Sequence, residues 1–318
     1  MRHRNIYYFA RLNTYLMYKL SKQLKFFVPP LITLFVLLIP SQTIAALTAQ
    51  KTLSNTGTIQ YQIHTDSTSV QSGTYIGLSG YPTSTSQIDA IIEVMNQNNL
   101  NIFRMSFNPE WFSGKPHPYR SNYIQYFLDH CDYTVIVDRN HLYPPTEDSA
   151  KQAQENWETV ENSIFEVLQT WPNNNRVIVE LINEYISTDF YPRMQDLVNQ
   201  IRSAGYTNPI LANKWNQQWT AINDPLDNTY QGYHFYFNSW SVSGARSQME
   251  TALSKGLKII NTEMGADFNE YKSFTTQTVQ ELNEFLVWSK DNEIGNTVWM
   301  NENLNNWQTY QELGLDFP

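Results

Sequence analysis

From Thr74 onward, short runs of apolar and β-branched residues alternate with longer segments whose apolar residues recur at helical spacing. Eight of the short runs are predicted to be strands: Thr74–Gly80, Asn101–Phe107, Tyr133–Val137, Arg176–Ile182, Pro209–Asn213, Gly232–Tyr236, Lys258–Thr262 and Thr297–Met300. Strands that alternate with helices form a parallel sheet, because each helix returns the chain to the same edge. Eight such units in about 240 residues predict an α/β fold, a (β/α)8 TIM barrel that forms a single domain over residues 73–318.

Helical patterns separate most of these strands. The predicted helices are Ser86–Asn98, Ala150–Trp171, Gln195–Ala204, Ser247–Lys255 and Thr276–Asp291. The segment after the fifth strand has a weak helical pattern, and the last helix, around Tyr310–Leu313, is short. The structural alternative is an open, doubly wound sheet. No glycine-rich phosphate turn follows the first strand, because Gly77-Leu-Ser-Gly80 lacks the glycine spacing of a dinucleotide-binding loop. This favours the closed barrel.

The N-terminal segment has the composition of a targeting sequence. A basic stretch up to Lys25 precedes the apolar run Phe26–Ile39, and small residues follow at Ala45 and Ala46. This order is typical of a secretory signal, and the run is shorter than the roughly 20 residues that cross a bilayer. Residues 1–46 are therefore predicted to be a signal peptide, with a retained membrane anchor as the alternative. Residues 47–72 are predicted to form a linker with a short strand or hairpin.

The charge of the chain is unevenly distributed. Six of its 21 Lys and Arg residues precede residue 47, whereas the first of its 30 acidic residues is Asp66. The body is thus strongly acidic, which argues against a nucleic-acid partner, since phosphates must be neutralised by basic groups. We expect a protein that binds neutral ligands and is secreted to the extracellular space, with membrane contact only if the anchor is retained.

Polar and ionisable residues cluster at the C-terminal ends of the predicted strands, where a barrel carries its catalytic groups. They are Arg104, His141, Asn183, Glu184, His234, Tyr236, Glu263 and Trp299. Two of them are glutamates that follow almost wholly apolar strands, so both carboxyls are predicted to face one cleft. Cleavage of a glycosidic bond needs such a pair, one to protonate the leaving oxygen and one to attack or to activate water. Glu180 is a weaker candidate, because it shares a strand face with Ile178.

This ordered set of residues resembles glycoside hydrolase family 5, a family of (β/α)8 retaining glycosidases, over the chain from Thr74 to the C-terminus. The matching pieces are Arg104 of strand two, the pair Asn183-Glu184, the His234-x-Tyr236 sequence of strand six, Glu263 followed by Met264-Gly265, and Trp299 of strand eight.

The resemblance implies a role for each site residue. Glu184 would be the acid/base and Glu263 the nucleophile, which Arg104 and Tyr236 keep ionised through hydrogen bonds. Asn183 would bind the sugar 2-hydroxyl. His141 and His234 would line the cleft, and Trp299 would stack beneath the sugar. Among the loop tryptophans, Trp215 and Trp240 are further candidates for binding sugar rings.

The predicted function is therefore an endo-β-glycanase that hydrolyses β-1,4-linked glucan or mannan by double displacement. Two alternatives remain: an exo-β-glucosidase or transglycosylase acting on short oligosaccharides, and a non-catalytic glycan-binding barrel at the cell surface. No cofactor is expected. No metal site is expected either, because the six histidines form no close ligand pair on one element. A monomer is expected.

Overall fold

The computed structural model describes residues 75–112, 117–213, 219–236, 241–265 and 276–301, together with 312, 314 and 316. The predicted signal or anchor at 1–46 and the linker at 47–72 lie outside the described residues, as do Trp215 and Trp240. Within the described part of the chain, no helix is both long and apolar enough to cross a membrane.

Eight parallel strands form a closed barrel in sequence order, which confirms the predicted fold. The strands are β1 Ile76–Gly80, β2 Ile102–Ser106, β3 Thr134–Asp138, β4 Val177–Glu180, β5 Ile210–Asn213, β6 Thr229–Tyr236, β7 Ile259–Gly265 and β8 Gly295–Asn301. The barrel closes where β1 pairs with β8, with Gly77 opposite Thr297.

Seven helices of the described chain surround the barrel: α1 Thr85–Gln97, α2 Ser121–His130, α3 Glu147–Glu155, α4 Trp157–Thr170, α5 Phe190–Ser203, α6 Val242–Leu253 and α7 Thr276–Asp291. The predicted single helix at 150–171 is in fact two helices, which meet at Asn156. The side-chain amide of Asn156 donates to the carbonyl of Gln152 at 2.8 Å, and this local bond competes with continued helix formation. The sequence analysis missed α2. Residues 219–228, which precede β6 in the segment with the weak helical pattern, contain no helix.

The core has two parts, one between the barrel and its helices and one inside the barrel. The interior part is a layer of apolar side chains from seven strands or their edges: Tyr75, Ile102, Ile136, Ile178, Leu211, Tyr230 and Ile260. Strands β1 and β2 approach so closely that a Cβ on Gly77 would lie 1.7 Å from the carbonyl oxygen of Ile102, so only glycine fits there. Above the apolar layer, toward the C-terminal ends of the strands, the interior becomes polar.

Candidate active site

Glu184 lies just beyond the C-terminal end of β4. The strand ends at Glu180, earlier than the predicted Ile182, so Glu184 belongs to the loop that follows. Its backbone has φ of +48°, a left-handed conformation that is uncommon for residues other than glycine. Such conformations cluster at functional sites, where the surrounding structure holds them. Here the turn brings a carboxyl that is only 4 % exposed to the mouth of the barrel.

Glu263 lies within β7, next to Thr262, and both side chains contact groups in the barrel mouth. Neighbouring residues of a regular strand point to opposite faces. The register of β7 shifts against both neighbouring strands at this point, as in a β-bulge, and the irregularity allows Thr262 and Glu263 to face inward together. Glu263 is paired in register with His234 of β6.

The two glutamates face each other across a narrow gap. One carboxylate oxygen of Glu184, one of Glu263 and a ring nitrogen of His234 lie within 4.8 Å of one another. Carboxyl groups of retaining glycosidases are about 5–5.5 Å apart, whereas inverting enzymes need about 6.5–9.5 Å to admit a water. A separation of at most 4.8 Å between one oxygen of each carboxyl is closer to the range of retaining enzymes than to that of inverting enzymes.

Arg104 of β2 occupies the centre of the polar interior and is fully buried. Its guanidinium donates to Glu263 at 2.7 Å, to Asp138 at 2.8 Å and to Glu180 through two bonds of 2.6 and 2.9 Å. It also donates to Asn183 Oδ1 at 2.8 Å. One cation thus orients three carboxyl groups that come from three different strands.

The buried carboxyls have perturbed acidities. Burial raises the pKa of Asp138 to about 6, although Arg104 opposes the shift. Burial also raises the pKa of Glu180, again against the effect of Arg104. Burial raises the pKa of Glu184 to about 8; Arg104 lowers it, while the charges of Glu180 and Asp138 raise it further. Glu184 is therefore protonated near neutral pH, as a general acid must be.

His234 and Tyr236 of β6 reach the two glutamates. The hydroxyl of Tyr236 donates to Glu263 Oε2, so Glu263 accepts bonds from both Tyr236 and Arg104. His234 Nδ1 lies 2.5 Å from Glu184 Oε1 and 3.5 Å from Glu263 Oε2. Burial lowers the pKa of His234 to about 4, which leaves its ring neutral.

An aromatic wall lines the mouth of the barrel beside the glutamates. His141 and Trp299 lie nearly parallel with their ring centroids 5.8 Å apart, and Tyr81 contacts both rings edge-on. His141 Nδ1 is 2.8 Å from Asp138 Oδ2, which fixes the orientation of the ring. Trp299 is only 5 % exposed, because its ring packs against His141 and Tyr81.

Asn183 is held mainly through its side-chain oxygen. This oxygen accepts from Arg104, and the amide nitrogen makes a contact of 3.4 Å with the carbonyl of Leu142. The residue is fully buried. The structure therefore brings together all eight predicted residues that it describes, namely Arg104, His141, Asn183, Glu184, His234, Tyr236, Glu263 and Trp299.

The trio Glu184, His234 and Glu263 is the one group in the described part of the chain whose atoms could converge on a metal ion. Both ring nitrogens of His234 are already engaged, however, since Nδ1 contacts Glu184 and Nε2 lies 2.6 Å from the amide of Asn213. A metal bound there would have to replace the hydrogen bond between His234 and Glu184.

The sequence analysis missed Asp138 and Asn213 as site residues and ranked Glu180 as a weaker candidate. Asp138, Glu180 and Asn213 are fully or almost fully buried, and each contacts a predicted site residue. The signal that could have identified them is a polar residue at the end of an apolar strand, at the position that faces the barrel interior. Trp219, an aromatic residue of a predicted loop, is buried and stacked on Tyr233, so it serves packing.

We expect Arg104→Met to destabilise the fold, because it leaves Asp138, Glu180 and Glu263 buried without their cation. Breaking a buried ion pair from one side costs about 3–5 kcal/mol. Chemical denaturation measures the free energy of unfolding. The control is Arg246→Met, whose ion pair with Glu250 is half exposed and should contribute less than about 1 kcal/mol. Equal losses in the two variants would contradict the central position of Arg104.

A closed barrel that brings two buried glutamates together at its mouth has the arrangement that glycosidic bond cleavage requires, which places the chain in the class of glycoside hydrolases. A family model described as cellulase (glycosyl hydrolase family 5) matches residues 67–305. The chain belongs to this family.

Solved structures similar to the chain share its fold at low sequence identity. A GH5 cellulase from an Icelandic hot spring isolate is 21 % identical with a TM-score of 0.55, covering 73 % of this chain and 77 % of the other. A GH5-4 broad-specificity endoglucanase from an uncultured bacterium is 14 % identical with a TM-score of 0.52, covering 72 % and 87 %. A xyloglucan-specific endo-β-1,4-glucanase from a metagenomic library, in complex with cellotriose, is 13 % identical with a TM-score of 0.51, covering 74 % and 90 %. No curated protein matches the chain.

Proposed function

We propose that this protein is a retaining endo-β-glycanase that hydrolyses β-1,4-linked glucan, with mannan as the second substrate class. The observation that carries the proposal is the narrow gap between Glu184 and Glu263, within 4.8 Å. The similar structures named as endoglucanases and as an endo-β-1,4-glucanase support the glucan assignment. The basic, apolar and small-residue order of residues 1–46 supports secretion to the extracellular space.

In the first step, the carboxylate of Glu263 attacks the anomeric carbon, and the bond from that carbon to the leaving oxygen breaks. Glu184 donates its proton to the leaving oxygen, which departs as a sugar hydroxyl. Arg104 and Tyr236 donate hydrogen bonds to Glu263 and hold its two oxygens in place for attack.

In the second step, Glu184 is ionised and takes a proton from a water molecule. The water oxygen attacks the same carbon, and the bond to Glu263 breaks, which regenerates both carboxyl groups. Two inversions at one carbon give net retention of configuration. The His141–Trp299 wall lies beside the two glutamates, and the small parts of its rings that remain exposed would border the sugar.

The experiment that tests the proposal is reducing-sugar release by the protein starting at Leu47, on separate β-glucan, mannan and xylan substrates. The matched control is Glu263→Gln, which keeps the side-chain volume and removes the nucleophile. Release from β-glucan that is lost in the control is the expected result. Release confined to short oligosaccharides would favour the exo-acting or transglycosylating alternative. Binding of a glycan without any cleavage would contradict the proposal and favour the binding barrel.

The pH dependence of kcat/KM should show the raised pKa of Glu184. The general acid acts only when protonated, so activity is present below the pKa of about 8 and falls tenfold per pH unit above it. Initial rates on an oligosaccharide, measured across a range of pH at substrate concentrations well below KM, give kcat/KM and so report this alkaline decline for the free enzyme. A decline that already begins near pH 5, the range of an unperturbed carboxyl, would contradict the assignment of Glu184.

A further inference from the structure

Asn213, the last residue of β5, has no part in the reaction steps given above, yet it is only 1 % exposed and lies at the centre of the site. Its amide nitrogen is 2.6 Å from His234 Nε2 and 3.3 Å from each of three oxygens, Glu180 Oε1, Asn183 Oδ1 and Thr262 Oγ1. A polar group so placed can determine where protons lie in the site.

The surrounding atoms fix the orientation of the Asn213 amide. A carboxylate oxygen of Glu180 and the amide oxygen of Asn183 can only accept hydrogen bonds. The oxygen of Asn183 is itself oriented by Arg104, which donates to it at 2.8 Å. Both oxygens already accept from Arg104, so the end of Asn213 that faces them must be its NH2 group, because an amide oxygen there would lie against two acceptors.

The orientation of Asn213 in turn determines the tautomer of His234. A neutral imidazole has one nitrogen that donates and one that accepts. The NH2 group of Asn213 donates to Nε2 at 2.6 Å, and the hydroxyl of Thr262, 3.1 Å from the same nitrogen, can donate to it as well. Nε2 is therefore the accepting nitrogen, and the ring proton is on Nδ1. Nδ1 then donates to Glu184 Oε1 at 2.5 Å. Asn213 and Glu184 are thus connected through the two nitrogens of one ring.

We propose that Asn213 is a positioning residue that holds His234 in its Nδ1–H tautomer, so that the transferable proton of Glu184 is carried by Oε2. Because Oε1 accepts the bond from His234, the acid proton is directed to the other oxygen. The same bond holds Oε1 in place when Glu184 is ionised and serves as the base. The proposal rests on the proposed acid/base function of Glu184.

Gly232 of β6 supports this assignment from the neighbouring strand. It is paired in register with Asn213, and a Cβ at this position would lie 2.8 Å from Asn213 Cβ and 2.9 Å from its Cγ. Contacts that short force one residue to move, so any larger residue at 232 would displace Asn213. The glycine provides the space in which the amide is held against His234.

The first test is nitrogen NMR of the histidine rings in the full chain, which distinguishes a protonated ring nitrogen from an accepting one. The signals of His234 are assigned by their loss in His234→Gln. In the wild type we expect a protonated Nδ1 and an accepting Nε2. In Asn213→Leu, which removes the donor at similar volume, we expect Nε2 to become partly protonated. Gly232→Ala, which displaces the amide without removing it, should shift the signals in the same direction.

The second test compares a substrate that needs acid catalysis with one that does not. Asn213→Leu should reduce kcat/KM on cellotetraose by about 10–100-fold, part of the range that acid–base catalysis contributes. On dinitrophenyl β-cellobioside, whose leaving group departs without a proton, the loss should be below about threefold. The pH at which kcat/KM begins its alkaline decline, which we assign to Glu184, should also shift in this variant.

The matched control is Asn208→Leu. Asn208 precedes β5 at the opposite end of the barrel, is 1 % exposed and donates to the carbonyls of Trp171 and Asn174. This variant should lose stability while keeping the ratio of the two activities and the tautomer of His234.

Two results would overturn the proposal: an unchanged Nδ1–H tautomer in Asn213→Leu, or equal losses on the two substrates. A wild type that cleaves neither substrate would contradict the proposed function instead, and the NMR measurement would still decide the tautomer.

Discussion

Replacing Glu263 with alanine is expected to reduce hydrolysis by on the order of 10⁴-fold or more, because the covalent step loses its nucleophile. The remaining site should stay folded, since Glu263 is one of three carboxyls that Arg104 binds and the other two, Asp138 and Glu180, keep their bonds. Initial rates on cellotetraose, with circular dichroism as the folding check, measure the effect. The control Glu250→Ala removes a half-exposed glutamate of α6 and should retain full activity.

Azide gives this prediction a stereochemical test. The small anion can enter the space left by the carboxylate and attack dinitrophenyl β-cellobioside from the same face as Glu263. One displacement then gives a glycosyl azide of inverted configuration. Activity in Glu263→Ala without azide that remains close to the wild type would show that another group is the nucleophile.

Replacing Glu184 with alanine is expected to have the second largest effect, a loss of about 10²–10⁴-fold on cellotetraose. The first step on dinitrophenyl β-cellobioside should be much less affected, because its leaving group needs no proton. The second step lacks its base, so the glycosyl-enzyme accumulates and the dinitrophenolate appears in a burst. Stopped-flow absorbance measures the burst and the slow steady state separately.

Azide again distinguishes the roles of the two carboxyls. In Glu184→Ala it should attack the glycosyl-enzyme and release a glycosyl azide of retained configuration, the opposite outcome to that of Glu263→Ala. Equal losses on both substrates, with no burst and no azide product, would contradict the acid/base assignment of Glu184.

The barrel could be predicted because its strands are buried on both faces and therefore read as apolar runs between helical patterns. Strand ends were less predictable. Apart from Glu180, the segment from Val177 to Ile182 is apolar, yet the strand ends at Glu180, and the following turn places Glu184 at a positive φ. The spacing of apolar residues does not predict where such a turn begins or which residue adopts a positive φ.

The convergence of Glu184 and Glu263 on one cleft could be predicted, but the network that holds them could not. Arg104 contacts Glu180 and Glu263, which are 76 and 159 residues away in sequence. Strand alternation predicted that Glu180 shares a face with Ile178, without indicating that this face is the inner one or that Glu180 would pair with Arg104. The register shift in β7, which lets Thr262 and Glu263 both face inward, depends on pairing with β6 and β8 and leaves no local signal.

The central claim is that Glu263 forms a covalent bond to the sugar, and trapping that intermediate tests it most directly. Dinitrophenyl 2-deoxy-2-fluoro-β-cellobioside slows both steps through its fluorine, while its leaving group keeps the first step faster than the second. Mass spectrometry of the intact protein and of its peptides should find one fluorocellobiosyl group, attached to Glu263, and activity should return as the ester hydrolyses. A label on Glu184 or Glu180, or turnover with inverted product and no label, would contradict the account.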